Sequence, residues 1–287
     1  MEDIQEISIN DKSYPELLKK IPDAPKVLYH RGSLPKNENC FGIVGTRRPS
    51  LYGQQATLQI TGELVDAGLV IVSGMAPGID TFAHKICIEK KKITIAVLGT
   101  GLDEKSIYPQ QNLELSRKII ENHGCLISEL PPGTHGSVFS FPKRNRIISA
   151  LSLGVLVVEA KQKSGSLITA NYAIKQKKKL FAVPGQIFSL NSQGPNKLIK
   201  EGATLVESSK DILDVLGVEA EKVSQKIFAS ENMQEQLIFA ALKEEALYID
   251  KIIEKTKLNA SLVVTSLALM EISGKIRNLG GNVYTIV

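Results

Sequence analysis

From residue 41 to about 206 the chain alternates two hydrophobic patterns. Short unbroken apolar runs occur at 41–45, 69–73, 93–98, 124–128, 154–159 and 179–183, rich in Ile, Val or Leu and bounded by Gly or Pro. Unbroken apolarity over so short a run is the mark of a strand buried on both faces, as in a parallel sheet. Between the runs the spacing turns helical. Ala56, Ile60 and Leu64 recur every fourth residue, and Ile147 with Leu151, and Leu167, Ala170 and Ile174, repeat the pattern. Strand and helix in alternation predict an α/β domain over 41–216, an extended Rossmann-like fold with a mainly parallel sheet and helices on both faces. Sheets of this kind take ligands at the carboxyl ends of their strands, near the point where the strand order reverses.

The alternation fails at both ends. Residues 1–40 read as an extension with short helices packed on the main domain. Residues 217–230, GVEAEKVSQKIFAS, carry charge and little periodicity, and read as a linker. Over 231–287 three helical stripes follow: Leu237, Ala240 and Ala241; then Ile249, Ile252 and Ile253; then Leu262, Thr265, Leu269 and Ile272. Two short strand-like runs then flank Gly280-Gly281 in KIRNLGGNVYTIV. Three helices and a hairpin in so short a span predict a small winged-helix module.

Composition narrows the class. No apolar run approaches the roughly 18 residues of a membrane span, so no membrane association is expected. The start, MEDIQEISIN, is acidic and lacks a signal-peptide pattern. Cys40, Cys87 and Cys125 are far apart with no C-x-x-C, which argues against a disulfide framework or a zinc site and fits a reducing cytoplasm. The formal net charge is +5, a mild bias, but the cations cluster at 47–48, 90–92, 143–146, 161–163 and 175–179. Lys90 to Lys92 read as a solvated helix end. The clusters in turns that follow strands point instead to an anion-binding edge.

The first such turn is Gly45-Thr46-Arg47-Arg48-Pro49-Ser50. Gly45 permits a sharp turn after the strand. Backbone N–H groups near the next helix start attract anions, and Arg47 adds a guanidinium fork suited to phosphate. Two arginines suit a polymer's phosphates better than a cofactor pocket that needs close backbone approach. The alternative is an internal salt bridge. In SGMAPGID, Ser73 and Gly74 open a turn that Gly78 closes, readable as a phosphate nest or as tight helix–sheet packing. Asp80 caps or braces that loop, and His84 reads as a core histidine. GTGLDEKSIYP has Gly99 and Gly101, but Glu104 stands where a dinucleotide fingerprint needs a third glycine. FPKRNRIIS places Phe141, Lys143, Arg144, Asn145 and Arg146 ahead of a helical stripe. An aromatic face, cations and an amide are the inventory for unpaired bases in a charged groove. For Arg144 and Arg146 the alternative is an ion pair with Glu159 or Glu129. KSGSLIT adds the Ser164-Gly165-Ser166 turn, with Ser166 a candidate cap. No G-x-S-x-G, H-E-x-x-H, Walker lysine or acid pair occurs, and the four histidines are scattered. No catalytic residue, metal ligand or cofactor is therefore assigned.

In this order the motifs resemble the DNA-processing protein A family, also called DprA or Smf. The matching stretches include IVGTRRPSLYG, SGMAPGIDTFAH, GTGLDEKSIYPQQN, FPKRNRIIS, VVEAKQKSGSLITANYA, VPGQI and SQGPNKLIKEGA, spanning residues 41–203. The resemblance implies a protein without turnover that binds single-stranded DNA and loads RecA recombinase in natural transformation, and that dimerises through its Rossmann-like domain. Carried over by position, its basic pocket would use Arg47, Phe141, Lys143, Arg144, Asn145 and the Ser164-Gly165-Ser166 turn. The full candidate DNA-binding set adds Gly45, Thr46, Arg48, Ser73 and Gly74. The competing readings are a nucleotide phosphoribohydrolase-like enzyme and a nucleotide-sensing protein on a related fold. The enzymes use a P-G-G-x-G-T turn with a glutamate, which VPGQI approaches without matching. The third helix of the C-terminal module, in NASLVVTSLALMEIS, has no lysine or arginine. A recognition helix needs cations or amides, so with Asn259 its sole candidate the module reads as a protein contact or a weak DNA element.

Overall fold

The structure, a computed structural model, describes residues 3–34, 39–218, 233–243, 245–272 and 274–286. Contacts divide the chain into two compact units, Met1–Glu221 and Lys222–Val287. Of the expected linker, residues 219–230 lie outside the described residues.

The first unit is built on a nine-stranded sheet. Its strands are β1 (Gln5–Ser8), β2 (Val27–Gly32), β3 (Cys40–Val44), β4 (Val70–Ser73), β5 (Thr94–Val97), β6 (Cys125–Ser128), β7 (Gly154–Val157), β8 (Lys179–Ala182) and β9 (Thr204–Leu205). Their order in space is β1-β2-β6-β5-β4-β3-β7-β8-β9. From β6 through β9 every pairing is parallel. The six expected strands appear as β3 to β8. Every residue of β3, β5, β6 and β7 is buried, which is why these strands read as unbroken apolar runs.

Side chains still alternate between the two faces. Phe41, Ile43 and Leu156 point to one, where α2 (Leu51–Asp66) and α3 (Ile79–Glu89) supply Ile60, Leu64 and Ala83. Val44, Val155 and Val157 point to the other, where α5 (Ser140–Leu151) and α6 (Gly165–Lys175) supply Ile147, Leu151 and Ala170. The unit's other helices along the sheet are α4 (Leu113–Glu121), α7 (Gln193–Lys200) and α8 (Ser209–Leu216). The chain reverses direction of winding at β3. From there β4, β5 and β6 extend one way and β7, β8 and β9 the other, with Val44 in register with Val157. The carboxyl ends of β3 and β7 therefore flank a crevice.

The N-terminal extension departs from expectation. It does hold a short helix, α1 (Glu16–Lys19), but β1 and β2 also join the sheet, antiparallel, at the β6 edge. Tyr14, Leu18 and Leu28 enter the same core as β3 and β7, and the buried Tyr14 hydroxyl donates to the Pro25 carbonyl at 2.7 Å.

In the second unit lie α9 (Met233–Leu242), β10 (Leu247–Tyr248), α10 (Ile249–Thr256), α11 (Ala260–Ile272), β11 (Ile276–Asn278) and β12 (Val283–Ile286), with β12 paired to both other strands. This is the expected winged-helix arrangement, but two of its stripes are rotated. The core takes Ile238 and Leu242 from α9 and Val263, Leu267 and Met270 from α11. Leu237, Leu262 and Leu269, assigned inward by spacing, are exposed. In a helix this apolar all round, period alone does not choose the face; packing does.

That assignment is checked by substitution. Leu267→Ala should destabilise the second unit by about 2–5 kcal/mol, as for other emptied core sites. Leu269→Ala should stay within about 0.5 kcal/mol. Amide hydrogen exchange of α9 to α11 in the intact chain reads both, and equal effects would contradict the face assigned here.

Candidate functional site

The turn after β3 is organised by one buried carboxylate from the neighbouring strand. Glu159 lies two residues past the end of β7 and is 2% exposed. Its Oε2 accepts the Ser50 amide at 2.9 Å and the Asn191 side-chain amide at 3.3 Å, and its Oε1 accepts the Ser50 hydroxyl at 2.6 Å. The Glu159 backbone carbonyl also takes the Thr46 amide at 2.7 Å. Ser50 caps α2, its hydroxyl oxygen accepting from the Gly53 amide at 3.1 Å. A resident anion thus sits at the positive end of α2, where a Rossmann fold would otherwise hold a ligand's phosphate. Gly53 makes room for it, because a Cβ there would come within 2.3 Å of Oε2.

The rest of the turn is equally committed. The Thr46 carbonyl accepts the first amide of α3, from Ile79, at 3.2 Å, and the Thr46 hydroxyl accepts the Arg48 amide at 3.3 Å. Gly78, at φ +84°, passes so close that a Cβ would lie 2.4 Å from the Thr46 carbonyl oxygen. Gly45 packs on Ile79 with no space for a side chain. Gly45 and Thr46 therefore serve as the frame, and Arg47 and Arg48 project from it into solvent.

Between this turn, the start of α5 and the start of α6 lies an open cleft of about 1130 Å³. Six cationic side chains line it, Arg47, Arg48, Lys105, Arg144, Lys161 and Lys163, against a single carboxylate, Asp80. Among the described residues, Arg47, Arg48, Lys105, Lys161 and Lys163 form no ion pair, and all five are exposed. On the α6 side, Ser164 caps the helix and shares a hydrogen bond with Ser166 at 2.7 Å. Gly165 is exposed beside it, and its carbonyl accepts the Asn145 side-chain amide at 3.1 Å. This helix start, unlike that of α2, carries no resident carboxylate and has Lys161 and Lys163 next to it, so it suits an external anion.

Phe141, Arg144 and Asn145 also line the cleft, but not as an exposed row. The FPKRNR stretch forms the first turns of α5, ahead of its apolar stripe. Phe141 is half-buried between Gly99 and Gly136 and packs on Tyr108, with ring centroids 5.6 Å apart. Arg144 is 6% exposed. Its guanidinium donates to the carbonyls of Gly74, at 2.5 Å, and Val97, tying together the ends of β4 and β5, and its Nε meets Asn145 Oδ1 at 3.2 Å. Burial lowers its pKa to about 10; Asp80 opposes that fall and Arg47 adds to it. Arg144 therefore stays charged at neutral pH and acts as a strut beneath the cleft.

Three candidates fall outside the cleft. Ser73 is fully buried, its hydroxyl donating to the Ile43 carbonyl at 2.6 Å. Gly74 is buried, its amide donating to Asp80 at 3.0 Å, and a Cβ there would lie 2.7 Å from both Arg144 and Asp80. The SGMAPG turn is thus packing, braced by Asp80. Lys143 turns away and pairs with Glu129 at 3.2 Å. Arg146, rather than Arg144, makes the structural ion pair, with Glu129 at 2.8 Å and Asp23 at 2.9 Å. Conversely, sequence spacing did not single out Lys105, Tyr108 or His135, which the β5 and β6 loops bring to the cleft. Lys161 and Lys163 were visible as a cation cluster just before the SGS turn.

His84 is fully buried, within reach of the Arg144 charge. The Thr94 hydroxyl donates to the Ile71 carbonyl, so its oxygen accepts from His84 Nδ1 at 2.8 Å, and Nε2 has no hydrogen-bond partner among the described residues. Burial, with a smaller effect from Arg144, lowers the His84 pKa from 6.5 to about 3.

The family model for DNA recombination-mediator protein A matches residues 5–217, and that of the DprA winged helix domain matches 229–282. The chain is 46% identical to the DNA processing protein DprA of Bacillus subtilis over 215 residues, 74% of this chain and 71% of that protein. It is 36% identical to the protein Smf of Escherichia coli over 284 residues, 96% and 75% of the two chains. Among solved structures, DprA of Streptococcus pneumoniae superposes with a TM-score of 0.67 at 40% identity, covering 74% of each chain. The DNA processing protein A of Helicobacter pylori, whose structure was described for its single-stranded DNA binding mode, superposes with a TM-score of 0.66 at 32% identity, covering 75% of this chain and 98% of that one.

The His84 pKa carries a stability prediction. The folded value lies below the unfolded one, so the contribution is present above about pH 6.5 and is lost as pH falls towards 3. The slope is roughly 1.4 kcal/mol per pH unit. Urea unfolding across this range should show His84→Asn losing less stability than the wild type by one proton's slope. Parallel curves would contradict the buried neutral imidazole.

Proposed function

Since the chain belongs to the DNA recombination-mediator protein A family, we propose that it binds single-stranded DNA in the switch-point cleft, without turnover. We further propose that it hands that strand to RecA recombinase during DNA uptake and recombination. The observation that carries the first step is the division of charge at the crevice. The inner anion position is filled by Glu159, while five cations without an ion pair among the described residues stand around the cleft outside it. A mononucleotide or dinucleotide phosphate seeking the start of α2 meets a carboxylate. A polymer's phosphates, spaced along the rim, meet Arg47, Arg48, Lys161 and Lys163. The Helicobacter pylori relative's described binding mode supports the same ligand.

Each side of the cleft then has a physical task. Arg47 and the two lysines hold phosphates by charge, and the open α6 start offers amides to one more. Phe141 and Tyr108 offer ring faces to bases, which tolerate any sequence. Arg144 and Asn145 act as positioning residues, one fixing the strand ends and the other fixing the Gly165 carbonyl. No cation projects from α11, so in this reading most single-strand affinity resides in the first unit, and the winged helix contributes a protein contact or weak duplex binding. RecA contact and a homodimer through the first unit are proposed from the family alone. The wide spacing of Cys40, Cys87 and Cys125 along the sequence, with no C-x-x-C, fits a reducing compartment, and a cytoplasmic location is proposed with it.

Titration with oligo(dT) over a range of salt separates charge from stacking. Arg47→Ala should weaken binding to all sequences alike and flatten the log–log salt slope by about 0.7. Phe141→Ala should cost about 1–3 kcal/mol and leave the slope nearly unchanged. A folded Arg47→Ala protein with wild-type affinity and slope would sink the proposal.

A further inference from the structure

A second basic cleft, of about 560 Å³, lies at the opposite end of α6 from the first. Lys20, Lys175, Lys177 and Lys178 line it, together with the half-buried ring of Tyr172. Its only carboxylate is Asp23, which is held by Arg146 at 2.9 Å. The other polar groups are also committed. Gln176 spans the Ser149 hydroxyl and the Arg146 carbonyl, and Lys178 donates to the Ala150 carbonyl at 3.0 Å. Lys20, Lys175 and Lys177 form no ion pair among the described residues, and all three are exposed. Their charge helps to offset the carbonyl end of α6. Three unpaired ammonium groups beside an aromatic ring nevertheless exceed what that end requires, and they repeat the cation-and-ring inventory of the first cleft.

One helix face joins the two. Ile168 lines the first cleft, and Tyr172 and Lys175 line the second. These positions, with the exposed Asn171 between them, fall on a single face at spacings of three and four residues. The 11 residues of α6 span about 16 Å at 1.5 Å per residue. That is the length of about five stacked nucleotides at 3.4 Å each.

We propose that a single strand seated in the switch-point cleft continues along the exposed face of α6 into this second cleft, where Lys20, Lys175 and Lys177 hold its phosphates and Tyr172 offers a base platform. The inference rests on the reading of the first cleft as a single-strand site. It makes the footprint of one protomer longer than the first cleft alone, and it makes affinity depend on strand length in a way assigned to named side chains.

The test compares oligo(dT) of about five and about 15 nucleotides on the intact chain, wild type against Lys20→Gln/Lys175→Gln/Lys177→Asn. Asn is chosen at 177 because that residue has φ +56°, which Asn tolerates. Three phosphate contacts predict a salt slope smaller by about 2 for the variant on the long strand. Its long-strand affinity should fall at least about tenfold at low salt, with short-strand affinity unchanged. Wild-type affinity and slope on the long strand would overturn the proposal, and so would equal losses on both lengths. If the wild type bound neither length, the switch-point reading itself would fail, and this inference with it.

Discussion

The structure depends on where one carboxylate is buried. Glu159 leaves β7 and enters the start of α2, taking the Ser50 amide, the Ser50 hydroxyl and the Asn191 amide. Burying a carboxylate is costly unless hydrogen bonds and a favourable dipole replace its water. Here they do, and the result locks β3, β7 and α2 together at the reversal of strand order. It also uses up the site a Rossmann fold normally keeps for a ligand. The turn is therefore free of the need for close backbone approach by a cofactor, and it carries Arg47 and Arg48 where a dinucleotide fold carries glycines.

The remaining cations sort by burial. Arg144 and Arg146 come from one helical segment, but each is spent inside: the first on the carbonyls of Gly74 and Val97, the second on Glu129 and Asp23. Lys143 is drawn off by Glu129 as well. What is left unpaired at the cleft comes from three separate turns, after β3, after β5 and after β7. A cleft whose surface charge is uncompensated while its interior charge is satisfied attracts an extended polyanion without strain on the fold.

Much of this was legible in the sequence. Strands β3 to β8 were visible because strands covered on both faces must be apolar throughout. The arginine turn and the SGS turn were visible because small and cationic residues follow such strands. β1 and β2 were missed, since QEIS at the sheet edge and VLYHRG beside it mix polar and apolar positions without a long apolar run. Sequence left Ser73 and Gly74 open between a phosphate nest and tight packing, because both call for small residues; the positions of Asp80 and Arg144 favour packing. Lys143 and Arg144 could not be separated by type, since their fates depend on Glu129 and on the strand ends. Tyr108 and His135 reach the cleft from loops distant in sequence, and no local spacing announces that.

Hydrogen–deuterium exchange of the intact chain, with and without saturating oligo(dT), tests the central claim most directly. The account predicts slowed exchange in the turn at residues 45–50 and at the α6 start, residues 163–167, with no change across α11. Unchanged exchange in both turns, or protection confined to α11, would contradict a switch-point cleft that holds the strand.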